Sequence, residues 1–158
     1  MKKQLKHNCY TKRGYITGPL FNKKQQLLKD KSLSHITWYS PKGALTNSSA
    51  HDAYWNDTKQ LLHSNYFIAD LNTNDIGVAY ELGVVWTVNY LRNILNKNDF
   101  KEATKLLDKF QFPAKKIIGI TNKNNKCNHK YLMGSVADQG KIVSSLEKAI
   151  ASIKKPTK

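Results

Sequence analysis

Tyr66-Phe-Ile-Ala-Asp-Leu71, a short polar turn over residues 71–75, and the stretch beginning Ile76-Gly-Val-Ala-Tyr-Glu-Leu-Gly-Val-Val-Trp86 decide how this chain folds. The first stretch is a nearly continuous apolar run, the pattern of a strand covered on both faces. The second carries Val78, Leu82, Val85, Trp86, Tyr90 and Ile94 at helical spacing, which predicts a long helix over residues 76–95. A buried strand feeding an apolar helix is half of a βαβ unit.

Working outward, the same alternation recurs. Residues 14–17 form a β-prone run that stops at Gly18-Pro19, and residues 35–39 (His-Ile-Thr-Trp-Tyr) are rich in β-branched and aromatic side chains. Residues 116–121 predict a fourth strand, and Ile142-Val143 a short fifth. Between them, helices are expected over residues 20–31, over 53–63 with Trp55, Leu61 and Leu62 turned inward, and over 99–110, closed by Pro113. Ser144 with Glu147 reads as a capping box opening a last helix that runs to about residue 153. Residues 40–50, with Pro41 and Gly43, read as a loop. Such a sequence predicts an α/β three-layer sandwich, flavodoxin- or Rossmann-like, with a parallel sheet of about five strands. Ligands in such sheets bind beyond the carboxyl ends of the strands. The segments to search are therefore residues 17–21, 39–50, 70–81 and 121–133.

At 158 residues one domain is expected, with basic tails at about 1–12 and 154–158. Hydrophobic residues are 40% and charged residues 23%, which excludes a disordered chain and a disulfide-stapled miniprotein. No apolar run reaches the ~18 residues of a membrane span. No apolar segment follows the basic start as a signal peptide would require. A cytoplasmic protein without membrane attachment is expected.

The net charge is +15, and all but Arg13 and Arg92 of the 26 basic residues are lysine. Readers of nucleic acid rely on arginine for bidentate contacts, and their basic residues cluster in a stripe. Here lysine is scattered, which favours a solvated surface over nucleic-acid binding. A positive field that draws in anionic substrates is a third reading. Cys9 and Cys127 each have a histidine two residues away, His7 and His129, but zinc ligands are usually spaced more widely, so no metal site is expected. His51 and His63 read as surface residues.

Acidic residues number only 11, yet Asp70, Asp75 and Glu81 fall within twelve positions at the strand-to-helix junction. A charge on an apolar helix needs a partner or a use. Near a helix N-terminus, Glu81 would be held ionised by ~0.3–1 kcal/mol, as a nucleophile requires. The plainer reading makes Asp75 an N-cap and puts Glu81 on a solvated face.

Asp75-Ile-Gly-Val-Ala-Tyr-Glu81-Leu-Gly83 resembles the signature of the nucleoside 2-deoxyribosyltransferase family. Tyr15-Ile-Thr-Gly18-Pro19-Leu-Phe21 resembles that family's first strand and turn, Trp55-Asn56-Asp57 its Asn-Asp pair, and Leu132-Met133 the Leu-Met of its late loop. The resemblance runs from about residue 14 to 150. It implies that Glu81 attacks C1′ of a 2-deoxyribonucleoside, that Tyr15 holds that carboxylate, and that Asp57 helps protonate the departing base. Asp75 would bind a sugar hydroxyl and Met133 would pack beside the nucleophile. Gly18, Pro19, Phe21 and Gly77 would line the substrate. A covalent deoxyribosyl-enzyme passed to a second base gives net retention, as in retaining glycosidases. The acid should then have a raised pKa and the nucleophile should not. No metal or organic cofactor is implied. The partners implied are a deoxynucleoside, a free nucleobase and further copies of this chain, at least a dimer.

The chain departs from the family in two places. Tyr131 stands where many members have an asparagine that reaches a neighbour's site, with Asn128 close by, and the chain ends in Lys-Pro-Thr-Lys rather than tyrosine. Related hydrolases of 2′-deoxynucleoside 5′-monophosphates share a Gly-Val-x-Tyr-Glu-Leu-Gly segment like residues 77–83, but tend to lack an acid at the position of Asp75. Hydrolysis of such monophosphates is the alternative activity, and a nucleotide- or nucleic-acid-binding protein the alternative without catalysis. Trp38, Trp55 and Phe21 are candidates to stack on a base, against the plainer reading of core aromatics. Neither a P-loop nor a GxGxxG is present.

Overall fold

The computed structural model describes residues 12–18, 30–41, 49–72, 75–121 and 130–154. The strands are β1 (Lys12–Thr17), β2 (Ile36–Tyr39), β3 (Tyr66–Asp70), β4 (Lys116–Ile120) and β5 (Gly140–Val143). The described helices are α1 (Ala50–Leu62), α2 (Ile76–Lys97), α3 (Lys101–Lys109), α4 (Lys130–Gln139) and α5 (Leu146–Lys154), with a 3-10 turn at Lys31–Leu33. All pairings are parallel, in the order β2-β1-β3-β4-β5. This is the expected α/β three-layer, Rossmann-like sandwich. The strand order reverses at β1, so the crevice for a ligand opens between the carboxyl ends of β1 and β3.

Side-chain parity sorts the core into two layers. Ile16, Ile36, Trp38, Ile68, Ile118 and Ile120 face α5 and pack on its Leu146, Ala149 and Ile153. Tyr15, Phe67, Ala69 and Ile117 face the opposite way, onto Leu61 of α1, Val78, Leu82 and Val85 of α2, and Val136 of α4. Gly14 is needed for the first layer, because a Cβ there would lie 2.3 Å from the Trp38 ring. Trp38 is thus a core residue, 4% exposed, and not a stacking platform.

Several expectations are corrected. Leu132 and Met133, which the resemblance puts in a late loop, lie on α4, packed against the second layer. Gly134 and the Asn- and Lys-rich stretch before it mask the helical spacing of Leu132, Met133 and Val136. Trp55 is 56% exposed rather than inward. Each three-residue step along a helix falls about 60° short of a full turn, so position 55 stands about 120° from buried Leu61. The last helix is capped by Ser145 rather than Ser144, its Oγ accepting from Lys148 N at 3.3 Å. α3 is ended by Gln111 at φ 57, two residues before Pro113. The helix expected over residues 20–31 lies outside the described residues but for its last two.

At the amino ends of the strands, Lys115 is buried. Its backbone exchanges two 2.8 Å hydrogen bonds with the Asn89 side chain, and its Nζ donates to the carbonyls of Leu62 (2.8 Å) and Pro113 (3.1 Å). One side chain thereby ties the end of α1 to the start of β4. No helix among the described residues is long and apolar enough to cross a membrane.

Candidate active site

Tyr15 and Thr17 share the face of β1 that looks at α2, because they are two residues apart on a strand. Tyr15 stands in register with Tyr39 on β2 and Phe67 on β3. The three rings form a ladder, with centroids 5.5 Å apart for Tyr15–Tyr39 and 6.0 Å for Tyr15–Phe67. The ladder carries two phenols to the end of the sheet where the crevice opens.

Glu81 meets the first phenol. It lies in the second turn of α2 on the same stripe as Val78, Leu82 and Val85, and is 8% exposed. The solvated-face reading of Glu81 is therefore excluded. Tyr15 Oη donates to Glu81 Oε1 at 2.6 Å, inside the core. Glu81 Oε2 is buried and takes no directed hydrogen bond from the described residues.

Asp57 meets the second phenol. It is half-buried on α1, and its Oδ1 accepts from Tyr39 Oη. Asn56 Nδ2 in turn donates to Tyr39 Oη at 2.8 Å. That second bond fixes the direction of the first, since Tyr39 has one proton to give. Burial, then the neighbouring carboxylate, pushes both phenols up: Glu81 acts on Tyr15, and Asp57 on Tyr39. Both remain protonated donors across the physiological range. Each carboxylate is thus oriented by one tyrosine.

The Glu81 carboxyl is raised above its ordinary value, chiefly by burial. Thr17 and Tyr15 pull it down, and the charges of Asp57 and Asp75 push it up. This corrects the expectation of an unshifted nucleophile held ionised by the helix end. The helix-terminal field fades within the first turn, whereas desolvation acts on the whole group.

Asp75 is the N-cap of α2, its Oδ1 accepting from Gly77 N (2.7 Å) and Val78 N (3.3 Å). Gly77 closes that cap, since a Cβ there would lie 3.0 Å from Asp75 Oδ1. Gly18 turns the chain out of β1 at φ +80, and a Cβ on it would lie 2.9 Å from Asp70 Cβ. Asp70 is itself occupied, its Oδ1 taking Asn72 N at 2.9 Å and Asn72 Nδ2 at 2.6 Å.

Of the residues singled out in the sequence, Tyr15, Asp57 and Glu81 are brought together, with Gly18, Asp75 and Gly77 on the adjoining turns. Met133 takes a place in the apolar layer on α4. Pro19, Phe21, Asn128 and the side chain of Tyr131 lie outside the described residues, as do Cys9, Cys127, His7 and His129. Sequence reasoning missed Tyr39 and Thr17. Strand parity would have found both, since each shares the sheet face of Tyr15.

The arrangement presents two carboxylates with different surroundings, one enclosed and one half-open, each held by a phenol. It suits a reaction in which one carboxylate attacks and the other handles a proton. No protein-family model matches the chain, and no curated protein matches it in sequence.

Proposed function

We propose that this protein is a nucleoside 2-deoxyribosyltransferase. The single observation that carries the reading is the buried Tyr15–Glu81 hydrogen bond with Asp57 held alongside through Tyr39. In the proposed reaction a Glu81 carboxylate oxygen forms a bond to C1′ as the C1′–N bond to the base breaks. The bonding pair leaves with the base, which takes a proton with the help of Asp57. The incoming base reverses these steps, giving up its proton as its nitrogen displaces Glu81. Positive charge develops on the sugar in the transition state, and the buried carboxylate stabilises it. Two inversions give net retention.

The site is proposed to be completed by another copy of this chain. Tyr54, Trp55, Ile76 and Tyr80, all exposed on α1 and α2 beside the site, are the apolar surface such a contact would cover. Sedimentation of the purified chain tests this, with a dimer or larger species expected.

A second reading, hydrolysis of a 2′-deoxynucleoside 5′-monophosphate, draws on the +15 charge and on the use of Asp75 Oδ1 in capping rather than in sugar binding. One chromatographic assay separates the two. The protein is given a 2′-deoxynucleoside with a different free base, and in parallel a deoxynucleoside monophosphate. The exchanged nucleoside is the expected product. Base release from the monophosphate without exchange selects the hydrolase. Glu81→Ala, with an unchanged circular dichroism spectrum, should lose either activity, and exchange surviving in that variant removes Glu81 from the mechanism.

A further inference from the structure

The long helix outruns the sheet it covers. α2 reaches the amino ends of the strands at Asn89, whose side chain holds the backbone of Lys115 just ahead of β4. The helix nevertheless continues to Lys97. Residues 90–97 therefore extend about 12 Å past that point. The chain turns through Asp99, at φ 56, and α3 returns along the overhang. Arg92 ties the two helices, donating to Asp108 Oδ1 at 2.8 Å and to the Phe112 carbonyl at 2.8 Å. None of residues 90–114, all of them described, is buried. The result is a helical hairpin standing off the body, at the end of the sheet opposite Glu81.

The amphipathic pattern of α3 is only half used. Ala103, Thr104 and Leu107 are its half-buried residues, and Thr104 Oγ1 donates to Asn96 of α2 at 3.2 Å. Leu106 and Phe110, four residues apart on the next stripe, are 52% and 58% exposed, and Phe100 at the turn is 56% exposed. Phe110 continues into Phe112, with ring centroids 6.2 Å apart. Lys101, Lys105 and Lys109 recur every four residues on the far side of that stripe. An apolar stripe left open beside a row of lysines marks an interaction surface.

The charge of the hairpin selects the partner. Residues 90–112 hold Arg92, Lys97, Lys101, Lys105 and Lys109 against Asp99, Glu102 and Asp108. All three acids are in ion pairs, with Lys101 (3.3 Å), Lys105 (2.7 Å) and Arg92 (2.8 Å). The excess is positive, as is the whole chain at +15. A basic amphipathic helix with leucine and phenylalanine on its apolar side suits a negatively charged bilayer surface. The apolar groups enter the acyl boundary and the lysines stay among the headgroups.

We propose that the hairpin of α2 and α3 docks this protein on an anionic lipid surface, through Phe100, Leu106 and Phe110 with Lys97, Lys105 and Lys109. Docking of this kind is peripheral and needs no spanning helix. It departs from the expectation of no membrane attachment, which followed from the want of an apolar span. A second copy of the chain is the less favoured occupant, because a two-fold contact would set the excess lysines against themselves. The inference stands apart from the proposed glycosyl transfer, whose groups lie at the other end of the sheet.

The test is co-sedimentation of the full chain with vesicles of phosphatidylcholine alone, and of phosphatidylcholine with about one-third phosphatidylserine. The protein should bind the mixed vesicles at least about tenfold more tightly, and less tightly as salt is added. Leu106→Ser with Phe110→Ser should weaken that binding by about tenfold or more. Lys97→Gln with Lys109→Gln should weaken it by about tenfold. Lys59→Gln with Lys141→Gln, an equal loss of charge elsewhere, should cost no more than about twofold. Where the serine variant shows no thermal transition, Phe110→Ala is read instead, with a loss of about threefold or more. Undiminished binding by the serine variant, equal weakening by the two glutamine pairs, equal binding to the two vesicles, or no binding overturns the inference. No binding, with a self-associated species that the serine substitutions disperse, gives the surface to a second copy instead.

Discussion

Glu81 shows how a single side chain can cost stability where it serves chemistry. Taking a carboxylate out of water costs stability, and burial is the chief cause that raises the Glu81 carboxyl. Because the folded pKa is raised, that cost is present above the folded pKa and is relieved as pH falls below the ordinary value of 4.5. Glu81→Gln keeps the shape and removes the charge. It is expected to be more stable than wild type by about 1 kcal/mol at neutral pH. In urea melts the difference should shrink toward acid pH, and a difference independent of pH would contradict the assignment. Tyr15→Phe removes a bond that lowers the Glu81 pKa, so the acid limb of the pH–rate profile should move to higher pH. The turnover rate should fall by about one to two orders of magnitude. An unmoved limb would mean that the phenol does not act on the carboxylate.

At the scale of the element, the first turn of α2 does two jobs, stopping the β3 crossover and placing Glu81 one turn further on. Asp75→Ala removes the cap and should cost about 1 kcal/mol, while Asp75→Asn should recover most of it, as read from thermal melts. Gly18→Ala meets both a left-handed backbone and the Asp70 Cβ, and should cost more than about 1 kcal/mol. Much of this was legible in the chain. The run Tyr66–Asp70 and the stripe on Ile76–Lys97 are long and strongly patterned, so both elements fell where periodicity put them. α4 was not legible, because Gly134 and its polar approach imitate a loop. The burial of Glu81 was not decided by pattern either. Position 81 continues the Val78–Leu82–Val85 stripe, but a charged residue type argued for the opposite face. Trp55 is the reverse case, since an aromatic residue type argues for the inward face while its angular position on α1 faces outward.

The whole molecule carries a charge of +15, and Lys115 is out of reach of water; these make separate claims on its stability. Burial, then the nearby Arg92 charge, pushes Lys115 down to about 7. Between that value and the ordinary 10.5 the unfolded chain binds the extra proton, so stability should rise as pH rises through this window. Lys115→Met should flatten that rise relative to wild type in denaturant titrations at pH 7 and pH 10. The scattered lysines repel one another over distances that salt screens, so added salt at neutral pH should raise the melting temperature.

The parity of β1 has a consequence for how this chain can change over generations. Tyr15 serves the crevice and Ile16 the opposite layer only because they are neighbours on an extended backbone. Deleting one codon within β1 would move the phenol into the α5 layer and an isoleucine against the carboxylate. Substitutions can therefore be sampled one at a time along this strand, while changes of length are confined to the connections.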